Sequence, residues 1–297
     1  MVQWGRRALT ALVGIPTALW LLSSDLGMLL LASTLCCLSL MEFTATICPQ
    51  IVPESKAPVE KFVHRFLVVA SGALLCVSAW SGEKLVHDAV VFLMTVCIFV
   101  FHIATTKNMG QTALLRLLLD LFALLYIVIG FSHAVLLRYS SSKYGLGLQI
   151  LGLCCAWVCD SGALLAGSFM GQAKLAPVVS PGKTLVGAVA GVVSSVFSVL
   201  AMFALPQLFS AVPIGDHWMQ GLLPPLSMMP IARQVILGVL LGILCILGDL
   251  VESYAKRVAG VKDSGTFFPG HGGCLDRMDS FLFVAPFLYY YSRFMLS

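Results

Sequence analysis

Nine stretches of this chain are apolar and long enough, at roughly 20 residues with tolerance, to cross a lipid bilayer. They lie near residues 8–23, 27–47, 66–81, 89–105, 116–136, 145–166, 184–205, 233–252 and 280–296. Backbone polar groups cannot stay unpaired in hydrocarbon, so a chain built this way is confined to helices packed in a membrane. With 59% hydrophobic and only 11% charged residues, it also lacks the polar side chains to cover a water-soluble domain of 297 residues. The expected fold is all-α and polytopic, one transmembrane domain over residues 1–297, with about nine helices. Residues 206–232, with Pro224 and Pro225, are not expected to contain a full span.

Arg6 and Arg7 ahead of the first apolar run could imitate a signal peptide, but eight further runs follow and no small-residue cleavage pattern closes it. A first transmembrane helix is the better reading. With the N-terminus cytoplasmic, 13 of the 18 Lys and Arg residues fall on the cytoplasmic side and 5 on the other. The loops at 167–183 and 253–279 then share the cytoplasmic face. The net charge of +4 comes from basic residues scattered through short loops, so no nucleic-acid partner is expected. The ten cysteines lie mostly in apolar runs and form no C-x-x-C pair, which leaves zinc and dithiol-redox readings with little support.

Against this background residues 249–279 stand out. They hold five of the 14 acidic residues (Asp249, Glu252, Asp263, Asp276 and Asp279) and four of the 18 basic ones (Lys256, Arg257, Lys262 and Arg277). Dense mixed charge between two apolar runs is costly unless it serves chemistry. Asp276 and Asp279 are three apart and share a face if that turn is helical. With Asp249 they offer the all-oxygen donor set that suits Mg²⁺. Pro269-Gly270-His271-Gly272-Gly273 builds a tight turn whose backbone N–H groups can approach phosphate, and the surrounding Lys and Arg add positive charge. The combination points to phosphoryl or nucleotidyl transfer. The bland alternative is that the acids are ordinary helix-end residues near a helix N-terminus.

A second block, Ser180-Pro181-Gly182-Lys183-Thr184, is read as the start of a helix. There Lys183 with the hydroxyls of Ser180 and Thr184 could hold phosphate, or Ser180 could simply cap the helix. It is not a Walker A loop, because Pro177 stands where that pattern needs Gly. Asp160-Ser161-Gly162 places an acid within or near the end of the sixth span, a functional candidate by position. Asp120 and Glu42 are isolated acids and weaker candidates; Asp120 could pair with Arg116 four residues earlier. An ion-coupled transporter would account for Asp120 and Asp160, but not for a Gly-rich basic loop at the membrane surface.

The run Ser253-x-x-Lys256-Arg257-x4-Lys262-Asp263-x-Gly265-x2-Phe268-Pro269-x-His271-Gly272-Gly273-x2-Asp276-Arg277-x-Asp279 resembles the signature of phosphatidate cytidylyltransferases, also called CDP-diacylglycerol synthases. Gly248-Asp249-Leu250-x-Glu252-Ser253, Asp160-Ser161 and the 180–184 block resemble the other motifs of that family, in the same order. The resemblance is close over the C-terminal half and one of hydropathy alone over the rest. Departures are Ala255 and Cys274, where the family has larger aliphatic residues, and Val186, where it has Glu. The resemblance implies synthesis of CDP-diacylglycerol from CTP and phosphatidic acid with release of pyrophosphate, in a membrane; the compact length points to a bacterial inner membrane, with an organelle or the endoplasmic reticulum as the alternative. The resemblance also implies dependence on Mg²⁺, with room for a second metal ion, a site open to the cytoplasm, and a homodimer. By motif position, Asp249, Asp276 and Asp279 would hold the metal, with Lys262 and Asp263 beside them in the catalytic set. Asp160, Ser180, Lys183, Thr184, Lys256, Arg257, His271, Gly272, Gly273 and Arg277 would bind the two substrates. A CTP-dependent lipid kinase, or a cytidylyltransferase for another lipid phosphate, is the alternative.

Overall fold

The computed structural model describes residues 14, 16–52, 58–140, 143–209, 222–268 and 272–296. Nearly all of them are helical. Residues 16–23 form a helical segment that ends at Ser24, whose side chain accepts a hydrogen bond from the Gly27 amide and so caps the next helix. That helix, α1 (Asp25–Glu42), loosens into a π-helical turn at Phe43–Ile47 and closes with Cys48–Ile51. Then come α2 (Pro58–Trp80), α3 (Lys84–Thr105) and α4 (Gln111–Phe122). The last of these continues through a second π segment, Ala123–Val128, to Ile129–Tyr139. The second half of the chain gives α5 (Gly145–Met170), a hairpin of β1 (Lys174–Ala176) and β2 (Ser180–Thr184), then α6 (Leu185–Phe209) and α7 (Ile231–Val258). A single-turn helix α8 (Leu275–Met278) precedes α9 (Phe281–Met295).

Seven of these helical stretches are long and apolar enough to cross a membrane, beginning with Asp25–Ile51 and ending with Ile231–Val258. They match seven of the nine apolar runs, usually with a turn or so added at an end. Of the other two, the run at 8–23 is described at residue 14 and at residues 16–23, which are helical, and the run at 280–296 forms the 15-residue α9. The chain is an all-α polytopic integral membrane protein.

Two compact units are present. The first comprises Met1–Ser140 and Ala255–Met278. In it α1 packs on α2 and on the second half of α4, over a core of Leu40, Phe43, Leu75, Ile127 and Leu136. A Cβ on Gly72 of α2 would press into Leu40 and Cys36 of α1, so the small residue sets how closely those helices approach. The second unit comprises Ser141–Tyr254 and Asp279–Ser297. Its main contact is α5 against α6, with α9 lying across Gly152 of α5. There Gly238 and Gly242 of α7 rest on the backbone of Val196 and Val192 of α6. Lipid provides no hydrophobic drive to bring helices together, and such small-residue seams supply van der Waals contact instead.

Candidate active site

In the first unit, the signature loop is folded around two carboxylates. Asp276 lies in the first turn of α8 and accepts on one oxygen from the backbone N–H groups of Ser264 (2.9 Å) and Gly273 (2.7 Å). The Ser264 hydroxyl lies 2.9 Å from the same oxygen. The other oxygen receives the Lys256 ammonium at 2.6 Å, and both partners are largely shielded from solvent. A carboxylate is the natural hub here, because it only accepts and can serve several donors at once.

The second carboxylate comes from far away in sequence. Glu42, at the end of α1 where the π-helical turn begins, accepts from the backbone N–H groups of Cys274 (3.0 Å) and Leu275 (3.1 Å). Its carboxylate also lies 3.2 Å from the Ser264 hydroxyl, whose one proton is shared between Glu42 and Asp276. Glu42 thereby satisfies orphan donors at the start of α8 and pins the loop to α1. Two glycines of the loop are explained by the packing around these acids and a third by its backbone conformation. A Cβ on Gly265 would collide with Glu42, and one on Gly273 would collide with Ser264 and Glu42. Gly272 has φ of +85°, in the left-handed region where side chains cost energy. Its carbonyl accepts the Phe268 amide at 2.9 Å, closing the turn. The Cys274 thiol is buried against Leu35, and burial pushes its pKa up to about 12, so it stays neutral and inert.

Lys262, Asp263, Arg257 and Arg277 are all exposed. Arg257 also reaches the Val261 carbonyl at 3.5 Å. His271, with Pro269 and Gly270, lies outside the described residues.

In the second unit, the 180–184 block is not the start of a helix. It is the second strand of the hairpin, with Ser180 opposite Ala176 and Thr184 opposite Lys174. The helix begins at Leu185, and its cap is Thr184 rather than Ser180: the Thr184 hydroxyl accepts from the Gly187 amide at 3.1 Å. Pro181 and Gly182 made a helical first turn look plausible from sequence, but Pro sits equally well on a strand edge. The strand delivers Lys183 to α7, where its ammonium meets Asp249 at 2.5 Å. Asp249 also accepts from the Ser253 hydroxyl one turn on, at 3.1 Å. Gly248, beside Asp249, has no Cβ because the Asp279 backbone occupies that space. α7 and the start of α9 therefore touch at these two acids. Asp279 is buried and accepts from the Ser280 amide at 2.7 Å. Asp160 lies on an exposed face of α5.

Sequence reasoning named Asp249, Asp276, Lys183 and Lys256 without seeing that each acid is matched to a lysine. It undervalued Glu42, whose one signal was a carboxylate inside an apolar run. The group implied by the resemblance, Mg²⁺, suits these residues. In the second unit Asp249 and Asp279 with the Ser253 hydroxyl, and in the first Asp276 with the Ser264 hydroxyl, offer hard oxygens, and the Cys274 thiol close to Asp276 in sequence is buried and protonated.

A membrane-embedded helical protein with a Gly-rich loop folded on carboxylates beside lysines carries groups suited to phosphate chemistry. More particularly, residues 5–295 match the Cytidylyltransferase family, and the chain belongs to it. It is 36% identical over 202 residues to a phosphatidate cytidylyltransferase of Bacillus subtilis, covering 68% of this chain and 65% of that protein. It is 32% identical over 222 residues to one of Staphylococcus saprophyticus, covering 75% of this chain and 76% of that protein. A third, from Haemophilus influenzae, is 36% identical over 193 residues, covering 65% of this chain and 62% of that protein. In the first and third the match spans less than two thirds of the relative's own length.

Proposed function

We propose that this protein transfers the cytidylyl group of CTP to phosphatidic acid, giving CDP-diacylglycerol and pyrophosphate. The observation that carries the reading is the folded signature loop, in which Asp276 gathers Ser264, Gly273 and Lys256 while Glu42 holds the start of α8. In the reaction a phosphate oxygen of phosphatidic acid attacks the α-phosphorus of CTP. The new bond joins that oxygen to phosphorus, and the bond to the bridging oxygen of the β-phosphate breaks. The nucleophile is already anionic near neutral pH, so no general base is needed. Positioning and charge neutralisation are the whole task.

The ligands for Mg²⁺ in this reading are drawn from Asp249, Asp276 and Asp279. When bound, the ion offsets repulsion between the two anionic substrates and stabilises the departing pyrophosphate. Lys183 and Lys256, each beside one of those acids, are suited to grip phosphate oxygens. The exposed Arg257, Lys262 and Arg277 meet the triphosphate or the lipid phosphate, Arg in bidentate fashion. Gly272 and Gly273 let the loop close on Asp276 and Glu42, and with Asp263, His271, Ser180, Thr184 and Asp160 they are further candidates around the substrates. The reading places the protein in a bacterial inner membrane, with these groups facing the cytoplasm, and expects a homodimer.

The test is an assay of the purified protein with phosphatidic acid, labelled CTP and Mg²⁺, following pyrophosphate and lipid-bound cytidine together. Both should appear in equal amounts. CDP with a newly phosphorylated lipid would replace the proposed reaction with a kinase reaction.

A further inference from the structure

The first unit holds a second cluster of chemistry-bearing groups, outside the signature motifs. Three helices each deliver one: His64 from α2, His102 from the last turn of α3 and Asp120 from α4. Both imidazoles turn Nε2 to the same carboxylate oxygen, Asp120 Oδ2, at 2.7 Å and 2.6 Å. The three ligand-capable atoms all lie within 4.8 Å of one another. Asp120 and His102 are buried, and His64 is 18% exposed. The rings are held by packing: His64 stacks on Phe101, and His102 stands edge-on to both. Beside them is a cavity of about 40 Å³ lined by Cys48, Lys61 and Arg116 as well as the three. One water needs about 10–15 Å³ on this measure, so there is room for an added ligand.

A carboxylate among apolar helices needs compensation, but one hydrogen-bond donor would go far to provide it. Two imidazoles brought from different helices, each presenting the same ring nitrogen to one oxygen, supply more than a single pair requires. Two nitrogens and one carboxylate oxygen are the ligand set of open zinc sites, which keep a fourth position for water or substrate. They suit Mg²⁺ poorly, since that ion takes oxygen donors and retains its waters. With bonds of about 2.0 Å in tetrahedral geometry, ligand atoms stand roughly 3.3 Å apart. The nitrogen-to-oxygen distances here would therefore open by well under 1 Å, roughly, to admit an ion of that kind. Lys61 and Arg116 on the cavity wall favour an anion, such as hydroxide or a phosphate oxygen, in the fourth position.

We infer that His64, His102 and Asp120 form a binding site for a zinc-class divalent ion, made of other side chains than the carboxylates assigned to Mg²⁺. The test uses the full-length protein in detergent, stripped with chelator and titrated with Co²⁺ in the presence of excess Mg²⁺. One Co²⁺ per chain should bind, with the visible absorption of a four-coordinate nitrogen and oxygen site, and Zn²⁺ should displace it. His102→Ala and Asp120→Asn should each weaken binding by about a hundredfold or more, at least what losing an outer-shell partner costs. His64→Gln, at the most exposed of the three, should do the same in protein that elutes as a single species, which separates loss of ligand from loss of fold. Absence of a saturable Co²⁺ band, or equal binding in all three variants, would overturn the inference and leave the cluster as a hydrogen-bonded brace. Loss of the band on His271→Ala alone would overturn it too.

Discussion

At the scale of single residues, the site depends on a few groups with no substitute. Glu42 serves two backbone N–H donors, and truncating it leaves each without that acceptor, at about 1–3 kcal/mol per buried donor. Glu42→Ala should therefore detach the signature loop from α1 without unfolding the helices. Helical content should be unchanged, turnover should drop at least as far as for Lys256→Ala, and proteases should cut within 261–274. A variant with native turnover would show that the loop needs no such anchor. Glu42 was legible only as a solitary acid in an apolar run. Its partners lie more than 200 residues away in the chain, and no periodicity or spacing reports such a pairing. His64 and His102 escaped notice for the same reason, and Asp120 was legible only as an isolated acid: no spacing reports that three helices bring these side chains together.

At the scale of elements, the close seams between helices limit what can be changed. A Cβ at Gly238 would lie 2.5 Å from the Val196 Cα of α6, a contact no rotamer can relieve. Gly238→Leu should cost about 1–3 kcal/mol or more through overpacking. It should show as a lower midpoint of thermal unfolding in detergent, while the exposed Val193→Leu leaves it unchanged. The helices themselves were readable because every residue of a span must satisfy its backbone internally, so long apolar runs allow one structure. The 180–184 block was not. Ser, Pro, Gly, Lys and Thr serve equally at a helix start and in a short hairpin, and the choice is made by pairing of Ser180 with Ala176 and of Thr184 with Lys174. The chemistry survives the reassignment, since the strand still brings Lys183 to Asp249.

At the scale of the molecule, most of the described residues lie in long apolar helices, and the signature charge is concentrated in short segments between them. Composition and hydropathy made that division plain, and the long signature made the family plain. What neither could convey is how the acids are held: Asp276 by Ser264, Gly273 and Lys256, and Asp249 by Lys183 and Ser253. The central claim is that these signature carboxylates carry Mg²⁺-dependent cytidylyl transfer. The most direct measurement is the rate of CDP-diacylglycerol formation against Mg²⁺ concentration, for the purified wild-type protein and for Asp276→Asn at equal membrane insertion. The account predicts a saturable Mg²⁺ dependence abolished by EDTA in the wild type, and turnover at background for Asp276→Asn at every Mg²⁺ concentration. Wild-type turnover in Asp276→Asn would contradict it.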